Sequence, residues 1–298
     1  MSGLPDLLRT GVVRRALGYS GSLAVSRLVS AAMTIVSTGI LIQTLGPSVF
    51  GVFAVITGLY TMLSVVEVGS AVGVNTLLAE AEQEGDPDRS RAVVSSAFAL
   101  MSAVGAGLVL VALLLTWLLP WPLLTGAGDA VPPETVRLAV GVYLVTFALS
   151  VPLAVFSRVL DGLRLSQWNA LYVLAVPGVL LVAALALRPS TSLVAYAFFA
   201  VVGAVVVGLL AMLHVRRIGG GRLRPRRDAV HRPVVREVWH RSWPMAIVAG
   251  AGMVAFSLDP IVVASALGSD TAAQYVLGAK IATLLTLAVT APTPVLWN

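Results

Sequence analysis

Eight long apolar stretches recur along the chain, at 18–45, 49–78, 92–119, 135–160, 168–187, 193–215, 242–267 and 272–293. A helix needs about 20 apolar residues to cross a hydrocarbon core of about 30 Å. The first two stretches exceed that length and are expected to tilt or to project past the bilayer. None alternates apolar and polar residues with period two, as the strands of a membrane barrel do. Backbone inside lipid must satisfy its own hydrogen bonds, so the stretches predict helices. The expected fold class is an all-α integral membrane protein with about eight transmembrane helices. Before the first stretch, Leu4, Leu7, Leu8, Val12 and Leu17 read as an amphipathic lead-in over 1–17 that lies on the membrane surface. That stretch is too long for a signal-peptide core, and no small-residue cleavage pattern follows it.

Composition narrows the function classes. Of 298 residues, 58% are hydrophobic and 11% charged. A soluble globular chain carries about 25% charged residues. This chain cannot cover a water-facing surface, which excludes a soluble enzyme, a nucleic-acid-binding domain and a disordered chain. There is no cysteine, so disulfides and thiol chemistry are excluded as well. The net charge of +6 bears first on topology. With the N-terminus inside, the cytoplasmic segments hold Arg9, Arg14, Arg15, Arg89, Arg91, Arg158, Arg164 and nine arginines between 216 and 241. The outside segments hold Arg137 and Arg188. Such an asymmetry places the N-terminus in the cytoplasm and the chain in the cytoplasmic membrane.

The polar stretch 216–241 contains Gly219-Gly220-Gly221 and Arg224-Pro225-Arg226-Arg227 and carries a charge of +7, nine arginines less Asp228 and Glu237. Glycine and proline interrupt helices, so part of it is expected to be a flexible connector. Two readings of its charge stay open: contact with anionic lipid headgroups, or a solvated topology determinant. No nucleic-acid recognition module accompanies it. The connector separates two related patterns. Leu45-Gly46-Pro47-Ser48-Val49-Phe50 and Leu267-Gly268-Ser269-Asp270-Thr271-Ala272 lie 222 residues apart, each at a turn between two apolar stretches. The same orientation at both turns predicts a parallel repeat. The organisation expected is a lead-in (1–17), a complete six-helix lobe (18–215), a cytoplasmic linker (216–241) and the first two helices of a second, incomplete lobe (242–298). A second lobe of six helices would need more chain, so the sequence is expected to be a fragment or a truncated copy.

An ionisable side chain at membrane depth costs about 2.5–3.5 kcal/mol on insertion scales and needs a partner or water. Arg27, Glu67, Asp259 and Lys280 are four such residues. Arg27 lies 18 residues before Leu45, and Glu67 lies 17 after Phe50. Both fall about 25 Å below the turn at 1.5 Å per residue, so they are expected to approach one another. Asp259 lies eight residues before Leu267 and Lys280 eight after Ala272, which suggests a second pair. Along the first stretch Ser20, Arg27, Ser30, Thr34, Ser37 and Thr44 fall on one helix face; Thr57, Tyr60, Ser64 and Glu67 do so along the second. Facing stripes would line a hydrated cavity. Alternatively, the hydroxyls bond to their own backbone and pack closely. Gly69 and Gly73 form a GxxxG pattern that predicts close helix packing. Pro152, Pro177, Pro244 and Pro260 can kink their helices. Asp86-Pro87-Asp88 resembles the metal-binding acid pair of some glycosyltransferases and otherwise reads as a solvated loop. His214, His231 and His240 lack ligand spacing. There is no P-loop and no Ser–His–Asp arrangement. No cofactor, metal or catalytic residue is expected.

Three stretches resemble the polysaccharide flippase branch of the multidrug/oligosaccharidyl-lipid/polysaccharide exporter superfamily. They are Leu45-Gly46-Pro47 with Phe50-Gly51-Val52-Phe53; Glu67-Val68-Gly69; and Asp259-Pro260-Ile261-Val262 with Leu267-Gly268, Tyr275 and Lys280. The resemblance covers nearly the whole chain. It implies helical bundles around a central cavity, alternating access and a lipid-linked oligosaccharide as cargo. It implies binding of the anionic pyrophosphate by Arg27 and Lys280, with Glu67 and Asp259 holding those cations. Ser30, Thr34, Ser37, Tyr60 and Ser64 would line the cavity. Membrane lipids, and glycan polymerase or glycosyltransferase partners, are expected around it. Two features depart from the family: Glu67 stands where Asp is commoner, and the chain ends after the eighth stretch. Three other readings stay in view: a drug or cation antiporter of the same superfamily, a non-transporting scaffold of a polysaccharide export complex, and a membrane glycosyltransferase built on Asp86 and Asp88.

Overall fold

The structure, a computed structural model, describes residues 11–187, 192–219 and 221–290. The lead-in before residue 11, Arg188 and the residues after Thr290 lie outside the described residues. All regular structure described is helical. In chain order the helices are α1 (Gly11–Leu45), α2 (Pro47–Leu63), α3 (Val65–Glu84), α4 (Pro87–Leu118), α5 (Trp121–Leu124), α6 (Pro133–Gly162), α7 (Ser166–Tyr172), α8 (Ala175–Ala186) and α9 (Leu193–Ile218). A 3₁₀ turn (Arg227–Ala229) follows, then α10 (Arg232–Ser257), α11 (Asp259–Leu267) and α12 (Ser269–Thr290). Among the described residues, five helical stretches are long and apolar enough to cross a membrane: Val25–Leu45, Pro87–Leu118, Pro133–Gly162, Ser166–Ala186 and Leu193–Ile218. The remaining apolar stretches form α2–α3, α10–α11 and α12. Successive helices run between two ends of the bundle. One end carries Gly46 and Gly268 and is called the hairpin end; the other carries residues 219–231 and is called the linker end.

Proline accounts for part of the segmentation. Pro177 has no N–H for the carbonyl of Val173, and α7 gives way to α8 there. Pro260 sits in the first turn of α11, where its missing donor is harmless. Pro152 lies inside α6 without ending it. It deprives the Ala148 carbonyl of its helical partner, and Gly105 of α4 packs directly over that carbonyl. A Cβ at 105 would come within 2.9 Å of it.

Helix α6 is the axis of the first lobe and packs against α9, α4 and α3. Tyr143, Phe147 and Phe156 on it are fully buried. The Tyr143 hydroxyl donates to the Thr57 carbonyl at 3.2 Å, tying α6 to α2. The opposite surfaces are apolar as well: Leu110, Trp117, Leu149 and Val182 are exposed. Large apolar faces of this kind are stable against acyl chains and not against water.

The later helices pack onto the first lobe, α10 against α3 and α4, and α11 and α12 against α2. Glycines permit the approach. A Cβ at Gly73 would lie 2.6 Å from the Val238 carbonyl, and one at Gly51 would lie 1.9 Å from the Ser269 carbonyl. Gly73 is the second glycine of the GxxxG pattern, and the close approach there is to α10. At the hairpin end Ser269 N–H donates to the Gly126 carbonyl at 3.2 Å. The two turns of the repeat share one backbone conformation, Gly46 at φ 80°, ψ 164° and Gly268 at φ 87°, ψ 167°. Only glycine adopts that region readily. Both turns lie at the same end, as a parallel repeat requires.

The linker departs from the expected flexible connector. Leu223 is buried in the main core. The backbone N–H groups of Arg226 and His231 donate to Ser95 and Ser96 of α4, each at 3.2 Å. Arg91 Nε donates to the Arg222 carbonyl at 3.0 Å. The described part of the linker is a strap fixed to α4. Ser95 and Ser96, both buried, supply its acceptors. Asp86 is likewise explained without a metal: it caps α4, accepting from the N–H groups of Asp88 and Arg89 at 3.0 and 2.9 Å, with Pro87 next.

Candidate functional site

The two hairpins meet in a seam that contains an unusual cation. Lys280, on α12, reaches across to the first lobe. Its Nζ donates to Thr38 Oγ1 of α1 at 2.9 Å and lies 5.9 Å from the centre of the Phe50 ring of α2. Thr38 is buried. Among the described residues no carboxylate pairs with Lys280. A hydroxyl and an aromatic face are weak compensation for a desolvated ammonium. Among the described residues its one hydrogen bond is to Thr38, and an ammonium has three donors.

Toward the hairpin end the seam opens into a cavity of ≈ 490 Å³ bounded by Ile42, Pro47, Phe50, Asp270, Gln274 and Leu277. Leu277 is three residues before Lys280 on α12, on the same helix face. Phe50 is common to the cavity and the lysine. The polar groups at its mouth are Ser48, Asp270 and Gln274. Phe50 thus has the cavity on one side and Lys280 Nζ 5.9 Å from its ring centre, although the lysine itself is not part of the cavity lining.

Asp259 does not hold that cation. It accepts from the Tyr275 hydroxyl at 2.9 Å and is exposed. The helix containing Lys280 begins at Ser269 rather than Ala272. Lys280 is thus 11 residues from the turn, against eight for Asp259. The difference of three residues is about 4.5 Å along the axis, and Lys280 also faces α1.

The expected Arg27–Glu67 pair is not formed either. Arg27 is exposed on α1, and among the described residues no ion pair joins it to Glu67. Equal depth did not make them neighbours because α1 packs on α7, α8 and α2, whereas α3 packs on α6 and α10. Glu67, in the first turn of α3, takes partners within the first lobe. Tyr60 donates to its Oε2 at 3.3 Å. Ser150 is within hydrogen-bonding reach and Arg158 supplies a positive charge. Arg158 in turn lies 3.8 Å from Asp161, which accepts from Asn169 Nδ2 at 3.2 Å. The Tyr60 ring stands edge-on to Phe147, with centres 5.6 Å apart. Tyr60 and Glu67 are brought together as their stripe predicts. Ser64 sits at the α2–α3 junction, its N–H bonded to the Tyr60 carbonyl at 2.8 Å.

On α1 three hydroxyls of the stripe bond to their own helix backbone. Thr34 donates to the Ser30 carbonyl at 2.8 Å, Ser37 to Thr34 at 3.0 Å and Thr44 to Ile40 at 2.8 Å. That matches the packing reading of these hydroxyls. Sequence reasoning missed Thr38 and Arg158. Thr38 is one turn from Thr34 on the stripe face and could have been found by spacing. Arg158 looks in the sequence like a topology residue because it is four residues from the end of its helix.

At the linker end the acidic tail of α3 holds the strap and α10. Arg222 donates to Glu82 at 2.7 and 2.8 Å, and Arg241 of α10 donates to Glu80 at 2.7 Å and Glu237 at 2.8 Å. Arg89 pairs with Glu80 and Glu84. These pairs are partly exposed, and such pairs stabilise by about 0.2–1 kcal/mol each. Arg241→Glu is expected to lower the melting temperature in detergent, and Glu80→Arg added to it to restore most of the loss. Equal melting temperatures for the single variant and wild type would show that the pair is dispensable.

Together these features define a multi-pass membrane protein: a helical lobe to which a second, similarly turned hairpin is joined across a cationic seam. The fold is shared with solved transporters of the MOP superfamily. The chain is similar to an inward-facing multidrug resistance MATE family transporter of that superfamily, at 15% identity and TM-score 0.71, over 91% of this chain and 64% of that one. It is similar to a MOP superfamily transporter from Pyrococcus furiosus described as having a binding pocket of reversed polarity that suggests a different function. That match has 14% identity and TM-score 0.68 and covers 94% and 63% of the two chains. An outward-facing MATE form matches at 13% identity and TM-score 0.67, over 94% and 63%. The chain thus spans somewhat less than two thirds of these structures. No curated protein sequence matches it. Residues 19–296 match the polysaccharide biosynthesis protein family, and the chain belongs to that family.

Proposed function

We propose that the protein moves a lipid-linked oligosaccharide, a sugar chain on a polyprenyl pyrophosphate, across the cytoplasmic membrane by alternating access, with its N-terminus in the cytoplasm. The observation that carries this reading is Lys280, a cation without a carboxylate partner among the described residues, held between Thr38 and the Phe50 ring where the two hairpins meet. A pyrophosphate needs such a cation once it leaves water, while its prenyl tail can stay in lipid. Charge-assisted bonds of this kind are about twice as strong as neutral ones. Membership of a polysaccharide biosynthesis family supports a sugar-bearing cargo. A fold seen in inward- and outward-facing forms supports two-sided access. Arg27, exposed on α1 toward the linker end, meets the headgroup first, and Lys280 receives it nearer the hairpin end. Glycosyltransferase or polymerase partners supply and consume the cargo.

The rival reading, a drug or cation antiporter, draws on Glu67. That carboxylate is already engaged by Tyr60, with Arg158 as its counter-charge, which leaves little attraction for a cationic drug. Purified protein in vesicles should speed the appearance of labelled lipid-linked oligosaccharide on the opposite leaflet relative to protein-free vesicles. Equal rates, with Glu67-dependent efflux of a cationic dye, would replace this reading by the antiporter.

A further inference from the structure

A second cavity lies away from the seam, on the lipid-facing side of the first lobe. It has a volume of ≈ 580 Å³ and sits between α4, α6 and α9 at the hairpin end. Its floor is one face of α6, from Glu134 to Thr146. The lining positions there recur at steps of three and one, so they form a continuous stripe along the helix. Gly141 widens the middle of the groove, where a Cβ would approach the Thr116 methyl to 3.1 Å. Phe198 of α9 and Leu113 of α4 form the walls.

The two ends differ in chemistry. Glu134 and Arg137 lie in the first turns of α6 and are both exposed. Among the described residues neither forms an ion pair. Everything deeper is apolar except the hydroxyls of Thr116 and Thr146, and the Thr116 hydroxyl donates to the Ala112 carbonyl at 2.7 Å. Trp117 stands at the rim, 77% exposed, a position favoured at membrane–water interfaces. From Glu134 to Thr146 is 12 residues, or about 18 Å of helix. Half of a hydrocarbon core of about 30 Å is close to that length. The groove has the depth of a single leaflet, with its charges at headgroup level.

We propose that this groove holds a zwitterionic aminophospholipid, phosphatidylethanolamine in chemical type, from the leaflet at the hairpin end. The Arg137 guanidinium takes the phosphate, and the Glu134 carboxylate takes the primary ammonium. One acyl chain lies along α6 against Leu138, Val142 and Val145. A primary ammonium has three donors for a carboxylate. A quaternary choline has none, and a glycerol headgroup would leave Glu134 facing a net anion. The groove is independent of the transport seam and does not rest on the proposed cargo.

Lipids brominated on an acyl chain quench nearby tryptophan, and the difference between wild type and Trp117→Phe isolates the response at the groove. In mixed-lipid vesicles of the full chain, brominated phosphatidylethanolamine should quench the Trp117 signal at several-fold lower mole fraction than brominated phosphatidylcholine or phosphatidylglycerol. Glu134→Gln and Arg137→Gln, both exposed positions, should each bring the three lipids to parity while leaving the melting temperature unchanged. Equal quenching by the three lipids in wild type would overturn the proposal in favour of ordinary annular lipid. A preference for phosphatidylglycerol would overturn it in favour of a plain anion site. Protection of Trp117 from all three would overturn it in favour of a protein helix covering the groove.

Discussion

Lys280→Met should abolish most transport of lipid-linked oligosaccharide, while Lys280→Arg should keep much of it. Methionine fills similar space without charge, so the seam stays packed and only the ammonium is lost. Hydrogen bonds to a charged group contribute about 1.5–3 kcal/mol. At 1.4 kcal/mol per tenfold, the loss is about ten- to a hundredfold in translocation rate at limiting cargo. Stability should move the other way. Lys280 is half-buried, with Thr38 and Phe50 as its partners among the described residues, and replacing a poorly compensated charge by an apolar group is often stabilising. A melting temperature equal to or above wild type, together with lost transport, identifies a functional residue. A fall in both, with no rescue by arginine, would make Lys280 a structural residue. This opposition of stability and function is what a binding site retained against the interest of folding produces.

Gly51→Val is expected to have the largest effect on the assembly of the two hairpins. The new Cβ would fall 1.9 Å from the Ser269 carbonyl oxygen. That atom is backbone at the start of α12 and cannot rotate away. Either the hairpins separate or one helix shifts along its axis. Overpacking of this kind costs about 1–3 kcal/mol or more, read as a lower melting temperature in detergent and slower transport. Gly58→Ala, on the same helix, is the control. Nothing lies within 4 Å of its Cβ position, and alanine is favoured over glycine in a helix interior by about 0.5–1 kcal/mol. It should be neutral or stabilising. If Gly51→Val melts like wild type, the contact between the two turns is not a fixed part of the fold.

The helical class and the positions of the apolar stretches were legible because a bilayer imposes length and hydrophobicity on any segment that crosses it. The likeness of the two turns was legible because both place a glycine, Gly46 and Gly268, at a positive φ. Side-chain partnerships were less so. Depth along a helix can be counted from the sequence, but rotation and neighbour identity cannot. Arg27 and Glu67 share a depth yet lie on helices that are not adjacent. Lys280 and Asp259 share a hairpin yet face different ways. The acidic residues Glu80 and Glu82 illustrate a third limit. Besides the nearby Arg89 on Glu80, they have arginine partners 140 and more residues away, in the linker and α10. The packing of α10 on α3 brings Arg241 to Glu80, and the strap on α4 brings Arg222 to Glu82.

The central claim is that the seam recognises an anionic headgroup through Lys280. The most direct measurement is equilibrium binding of two lipid-linked sugars to the purified full chain, one carrying a pyrophosphate and one a neutral linkage with the same sugar and tail. Wild type should bind the pyrophosphate form at least about tenfold more tightly, the equivalent of 1.4 kcal/mol, and Lys280→Met should bind the two alike. Equal affinities in wild type, or a pyrophosphate preference that survives Lys280→Met, would contradict the account.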